Sequence, residues 1–151
     1  MPIATPSADE LLKLDHQLCF AVYSASLAMT RLYKPQLEAL GLTYPQYLVM
    51  LALWEQDAPT VSALGERLSL DSGTLTPLLK RLEASGFVTR LRDAEDERRV
   101  LIRLTPAGRR LKTRAAAVPR CLLAASECSI DELAGLTRDL QVLRDRLKAA
   151  A

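Results

Sequence analysis

The chain has no uninterrupted apolar run of about 18 residues, so no transmembrane helix is expected. Its start, Met1–Lys13, has neither a basic-then-apolar order nor a small-residue cleavage site. A secretory leader is therefore not expected, and a cytoplasmic chain is. Internal repeats and Gly/Ser linkers are absent, which leaves one continuous domain. The three cysteines, Cys19, Cys121 and Cys128, form no CxxC pair and no zinc-ligand spacing. No metal and no cofactor is expected, and in a reducing compartment the three rest as thiols. A single histidine, no nucleophile elbow and no His/Asp arrangement argue against a thiol enzyme.

What is present suits one folded domain: 151 residues, 49% hydrophobic and 25% charged. The net charge of +2 says nothing about partners, but its distribution does. Between Thr60 and Arg114 there are 12 Lys/Arg against 7 Asp/Glu, and elsewhere 8 against 11. A basic middle between acidic ends points to a central anion-binding surface. A purely architectural DNA-bending protein would carry a larger basic excess.

Leucine and alanine spacing from Ser7 to Arg31 predicts one long first helix, capped by Ser7 or Asp9. Tyr44-Pro45 opens a second helix over Gln46–Glu55 that is apolar all round. Thr60 caps a short helix carrying Val61, Leu64 and Leu68. Another follows, starting between Ser72 and Thr74, with Leu75, Leu78, Leu79 and Leu82 inward and Gly86 as its stop. Pro77 lacks an N–H, so it belongs in the first turn or forces an irregular start. Phe87–Leu91 and Val100–Leu104 read as an antiparallel hairpin with a charged tip. Thr105-Pro106 starts a helix running to about Pro119 or beyond. Ser129 to Glu132 is a capping box opening a final helix with a leucine stripe. The fold class is mainly α with a small β-hairpin, and the long terminal helices have leucine stripes that a partner chain would cover, forming a homodimer.

A short helix, a tight turn, a second helix and then a charged hairpin is the order of a winged helix-turn-helix. The second helix would present Ser72, Thr74, Thr76 and Pro77 to a DNA major groove, with Lys80 and Arg81 one turn on. Small hydroxyls let the backbone approach, and the basic pair neutralises phosphates. On the hairpin, Arg90, Arg92, Arg98 and Arg99 supply positive charge, and Asp96 is placed to hold Arg98 in shape.

The segments Leu70–Glu83, Gly86–Arg90, Asp93–Arg99 and Leu104–Gly108 resemble the MarR family of bacterial transcriptional regulators, over nearly the whole chain from Leu14. The resemblance implies a triangular dimer of winged helices on a near-palindromic double-stranded DNA operator, usually as a repressor. It also implies that Arg98 of the Asp96-x-Arg98 signature enters the minor groove. Residues 7–45 and 105–151 would be dimerisation helices, and 46–104 the winged helix-turn-helix lobe.

Cys19 and Tyr23 share a helix face, where a phenol hydroxyl can hydrogen-bond a thiolate. His16, three residues earlier, reads as a surface side chain. Tyr33 lies about 21 Å along the same helix at 1.5 Å per residue, so it can meet Cys19 only across an antiparallel dimer. Tyr44 can join it there. Together with the recognition-helix segment, these residues resemble the organic-hydroperoxide-sensing branch of the MarR family. The resemblance implies that Cys19 is oxidised to sulfenic acid, breaks a tyrosine network and releases the DNA, derepressing a peroxide-resistance gene. Leu18, Phe20 and Met50 would wall the peroxide pocket. One subclass traps the sulfenic acid with a second cysteine, for which Cys121 is preferred, with Cys128 as the alternative. The competing reading is a repressor released by a small phenolic or anionic ligand, with Cys19 incidental.

Overall fold

Side-chain caps fix most of the helix starts in this chain, whose residues 3–151 are described in a computed structural model. Ser7, Thr43, Thr60, Asp71, Thr105 and Ser129 each accept the backbone N–H three residues on. The order is α1 (Ala8–Leu11), a 3-10 turn (Leu14–His16), α2 (Leu18–Leu40), α3 (Tyr44–Glu55), α4 (Val61–Leu68) and α5 (Ser72–Ala84). Then come β1 (Val88–Arg92), β2 (Val100–Leu104), α6 (Pro106–Ala115), α7 (Ala117–Ser126) and α8 (Ile130–Ala150).

The long first helix expected over Ser7–Arg31 is broken. Lys13 and Gln17 are extended (ψ 133° and 120°), and the Gln17 amide donates to the carbonyls of Leu11 and Lys13, closing off α1. Apolar spacing is the same on both sides of this break, so periodicity cannot reveal it. Helix α2 then runs nine residues past Arg31, to Leu40, through Pro35, and ends at a left-handed Gly41 (φ 72°). There the Leu42 N–H returns to the Leu37 carbonyl at 3.0 Å. The helix expected from Thr105 to Pro119 is two helices, α6 and α7, jointed at Ala116. Pro119 falls in the first turn of α7, where its missing N–H is tolerated.

The hairpin pairs Val88 with Leu104 through to Arg92 with Val100, one residue along from the expected first strand. The α3–α4 turn adds an edge to it: Ile102 N–H donates to the Pro59 carbonyl at 2.9 Å, and Thr60 bridges Leu101. Helix α3 is buried nearly all round, and its Val49, Met50 and Leu53 meet Leu64, Leu75, Leu79, Leu82, Val88, Ile102 and Val118 in the core. Burying each leucine of this set stabilises the fold by about 1.5–3 kcal/mol. By contrast, α8 buries no residue, and Leu18, Val22 and Leu27 of α2 are exposed.

Helix α6 docks by close backbone approach. Trp54 Nε1 donates to the Gly108 carbonyl at 2.9 Å, and a Cβ on Gly108 would lie 2.2 Å from the Phe87 carbonyl oxygen. Gly108→Ala is expected to destabilise the chain by about 2 kcal/mol or more, read as a lower urea midpoint with an unchanged slope.

Candidate nucleic-acid interface and redox thiol

Helix α5 buries its leucines and presents the opposite face outward. In α5, Leu75, Leu78, Leu79 and Leu82 are buried, and Ser72, Thr74, Pro77, Lys80 and Arg81 are exposed on the other side, with Thr76 half-buried. Asp71 Oδ1 accepts the Thr74 N–H at 2.7 Å, and Ser69 turns the chain in the left-handed region (φ 56°). Pro77 sits in the second turn, not the first. It gives no N–H to the Gly73 carbonyl at the presenting end of the helix.

The wing is held by its own carboxylates. Glu83, near the end of α5, accepts the Arg90 N–H (3.0 Å) and Arg90 Nε (3.2 Å). These hydrogen bonds, the backbone one foremost, hold the Glu83 carboxyl below its ordinary value of 4.5. Arg90 is thus tied to α5 through its main chain and Nε. At the tip Asp96 Oδ1 accepts the Arg98 Nε (3.2 Å) and N–H (3.1 Å), and the same two bonds lower its pKa. The Arg98 side chain remains 91% exposed, so it is braced at its root and free at its end. Asp93 receives the Glu95 N–H, and its own N–H donates to the Arg99 carbonyl at 2.9 Å. The acidic residues that look misplaced on a DNA-binding loop are thereby used in shaping it. Arg92 is exposed at the end of β1.

Between the start of α4, α5 and the wing lies a cleft of about 550 Å³ lined by Thr60, Ser62, Thr76, Arg90, Arg98 and Arg99. Sequence reasoning does not single out Ser62. Its one signal is its place in the first turn of α4, two residues after the Thr60 cap.

Cys19 is exposed in the first turn of α2, where unpaired N–H groups favour negative charge. Cys19 and Tyr23 line an open groove of about 930 Å³ between the start of α2 and the end of α8, with Leu18, Val22, Leu140 and Leu147 as apolar walls. Met50 is not one of its walls. It is fully buried in the core, because α3 is enclosed by the other helices. Phe20 is half-buried and outside the groove lining. His16 Nδ1 meets the Glu10 carbonyl (3.0 Å) at the joint before α2.

Tyr33 and Tyr44 do not reach Cys19 within the chain. They stack with each other (6.2 Å between ring centres) and with Tyr47 (6.4 and 6.5 Å). Tyr47, one turn beyond Tyr44, is the member sequence reasoning missed, although that spacing places both on one helix face. Burial first, then the neighbouring phenols and Cys121, pushes the Tyr47 pKa up to about 12. Burial likewise raises that of Tyr33, with Tyr44 and Cys121 adding to it. Cys121 packs half-buried against the core, its thiol donating to the Val118 carbonyl at 3.0 Å. Cys128 lies in the α7–α8 connection, after a left-handed Glu127 (φ 57°).

A family profile described as transcriptional regulator SarA/Rot matches residues 31–115. The organic hydroperoxide resistance transcriptional regulator of Bacillus subtilis (strain 168) is 50% identical over 90% of this chain and 92% of its own length. The chain belongs to the MarR/SarA family of transcriptional regulators. This MarR/SarA regulator is also 51% identical to the HTH-type transcriptional regulator TtmR of Methylorubrum extorquens, over 95% of this chain and 73% of the relative. AbfR of Staphylococcus epidermidis shares the winged-helix fold, with a TM-score of 0.79 at 38% identity, covering 93% of this chain and 97% of that one. Reduced AbfR bound to DNA scores 0.74 (38% identity, 92% and 96% covered). Overoxidised AbfR bound to DNA also scores 0.74 (38%, 93% and 99%), and the disulfide form scores 0.65 (37%, 93% and 94%).

Because the Glu83 pKa is lowered in the folded chain, the Glu83–Arg90 contribution is present above the ordinary carboxylate value of 4.5. It is lost as the pH falls through the lowered value. A pH series of denaturation midpoints is therefore expected to fall less steeply on the acid side in Glu83→Gln than in the native chain.

Proposed function

We propose that this chain is a cytoplasmic repressor that grips a near-palindromic operator as a homodimer and releases it when an organic hydroperoxide oxidises Cys19. The observation that carries this reading is the pairing of Cys19 and Tyr23 on one apolar groove at the start of α2. A thiol there is open to solvent, and its surroundings favour an organic peroxide over hydrogen peroxide. The 50% identity to an organic hydroperoxide resistance regulator supports the same chemistry. So do the reduced, disulfide and overoxidised forms in which AbfR occurs.

In the proposed step the thiolate of Cys19 attacks the peroxide O–O bond. A sulfur–oxygen bond forms, the O–O bond breaks, and the alkoxide leaves and takes a proton to become the alcohol. The sulfenic acid then condenses with a second thiol, giving a disulfide and water. The exposed apolar faces of α2 and α8 support dimerisation through 7–45 and 105–151, with 46–104 as the DNA-reading lobe. In such a dimer Tyr33 of the partner subunit approaches Cys19. Tyr33, Tyr44 and Cys121 form one cluster, so a dimer that delivers the tyrosines delivers Cys121 with them. That proximity favours Cys121 over Cys128 as the resolving thiol. The DNA contacts would come from Ser72, Thr74, Thr76, Pro77, Lys80 and Arg81 on α5 and from Arg90, Arg92 and Arg98 on the wing, with Asp96 bracing Arg98.

The test is operator release from the reduced protein, on a fragment of its own upstream region, during titration with an organic hydroperoxide. Native protein is expected to let go and Cys19→Ser to hold. Binding without release in either would return the chain to the small-ligand reading. On non-reducing gels the cross-linked dimer is expected to vanish in Cys121→Ser and to persist in Cys128→Ser. Arg98→Ala is expected to weaken operator binding by about tenfold at fixed salt, measured by fluorescence anisotropy.

A further inference from the structure

Each strand of the wing gives a main-chain N–H to a carboxylate from the helical part of the lobe. On β1 that acceptor is Glu83; on β2 it is Asp57, in the turn between α3 and α4. Asp57 Oδ1 accepts the N–H groups of Ala58 (2.8 Å) and Leu104 (2.9 Å), and Oδ2 accepts the Arg109 guanidinium of α6 (2.8 Å). Four consecutive residues then tie three elements together. Ala58 is held in the left-handed region (φ 61°), costly for a residue with a Cβ. The Pro59 carbonyl takes the Ile102 N–H, and Thr60 bridges Leu101 while capping α4. The turn that starts the helix pair is thus also the third edge of the wing.

We propose that Asp57 is a positioning residue for operator binding: through the main chain of β2 its carboxylate sets where the wing sits against α4 and α5. The inference rests on the reading that the wing touches DNA. The weight falls on Oδ1 and not on the ion pair. Asp57 and Arg109 are 27% and 61% exposed, so water screens their attraction. Leu104 is buried, and its N–H has no other acceptor in this arrangement once Asp57 is removed.

Operator affinity of D57A, D57N, R98A and the D57A/R98A double variant, each reduced and well below its unfolding midpoint, tests this. D57A is expected to lose about tenfold in affinity, the cost of an orphaned buried N–H transmitted to the wing. D57N keeps an oxygen at Oδ1 and loses only the ion pair, so it is expected to stay within about threefold of native. In the R98A background D57A is expected to cost little more, because the wing it positions has already lost its contact. Equal losses from D57A with and without Arg98, or native affinity in D57A, would overturn the proposal. If R98A is weak and D57A adds to it, this inference alone falls. If R98A binds like the native chain, the wing reading falls and the inference with it. Should D57A not fold, D57N decides: retention within threefold supports the role of Oδ1, and a tenfold loss overturns it.

Discussion

Helices α2, α4, α5 and α6 all pack on α3, whose Val49 and Met50 are 0% exposed and Leu53 1%. A helix buried on most of its sides, with only Pro45, Leu51 and Glu55 exposed, cannot tilt or slide without opening voids against several neighbours at once. Leucines of α4 and α5 interlock with it on one side, Ile102 and Val88 of the hairpin extend the same core, and Trp54 at its end donates to the backbone of α6. The lobe therefore responds as a unit.

On this rigid base the charges divide into two kinds. Glu83, Asp93 and Asp96 accept main-chain N–H groups or brace arginines, and they define the shape of the wing. Lys80, Arg81, Arg92 and the outer end of Arg98 face solvent. A wing of mixed charge can present a basic edge because its acids are already satisfied within it. That arrangement lets a chain with a net charge of only +2 offer a directed cationic surface.

The proposed sensing groups sit outside this core. Cys19 and Tyr23 lie on the lightly packed groove between α2 and α8, whereas Tyr33, Tyr44, Tyr47 and Cys121 gather where α2, α3 and α7 meet. Within one chain the two sets are separated by most of a long helix. A second copy is what brings them together in the proposed mechanism, and the exposed leucines of α2 and α8 are the surface such a copy would cover.

The local rules in the sequence determined most of the element plan. Caps at Thr60, Thr105 and Ser129, leucine spacing in α5 and the apolar run of α3 each act over a few residues, and all appear as expected. The Asp96–Arg98 brace was legible for the same reason, since only Glu97 separates the partners. Tertiary structure decided what depends on distant groups or on competition between local signals. The break before α2 rests on Gln17 reaching back to two carbonyls, which no periodicity records. Burial of Met50, the Tyr47 ring and the capture of Arg90 by Glu83 follow from how helices and hairpin stack. Asp57 shows the limit most clearly: in sequence it is one residue of a turn, and only the fold brings it to Leu104 and Arg109, about fifty residues away.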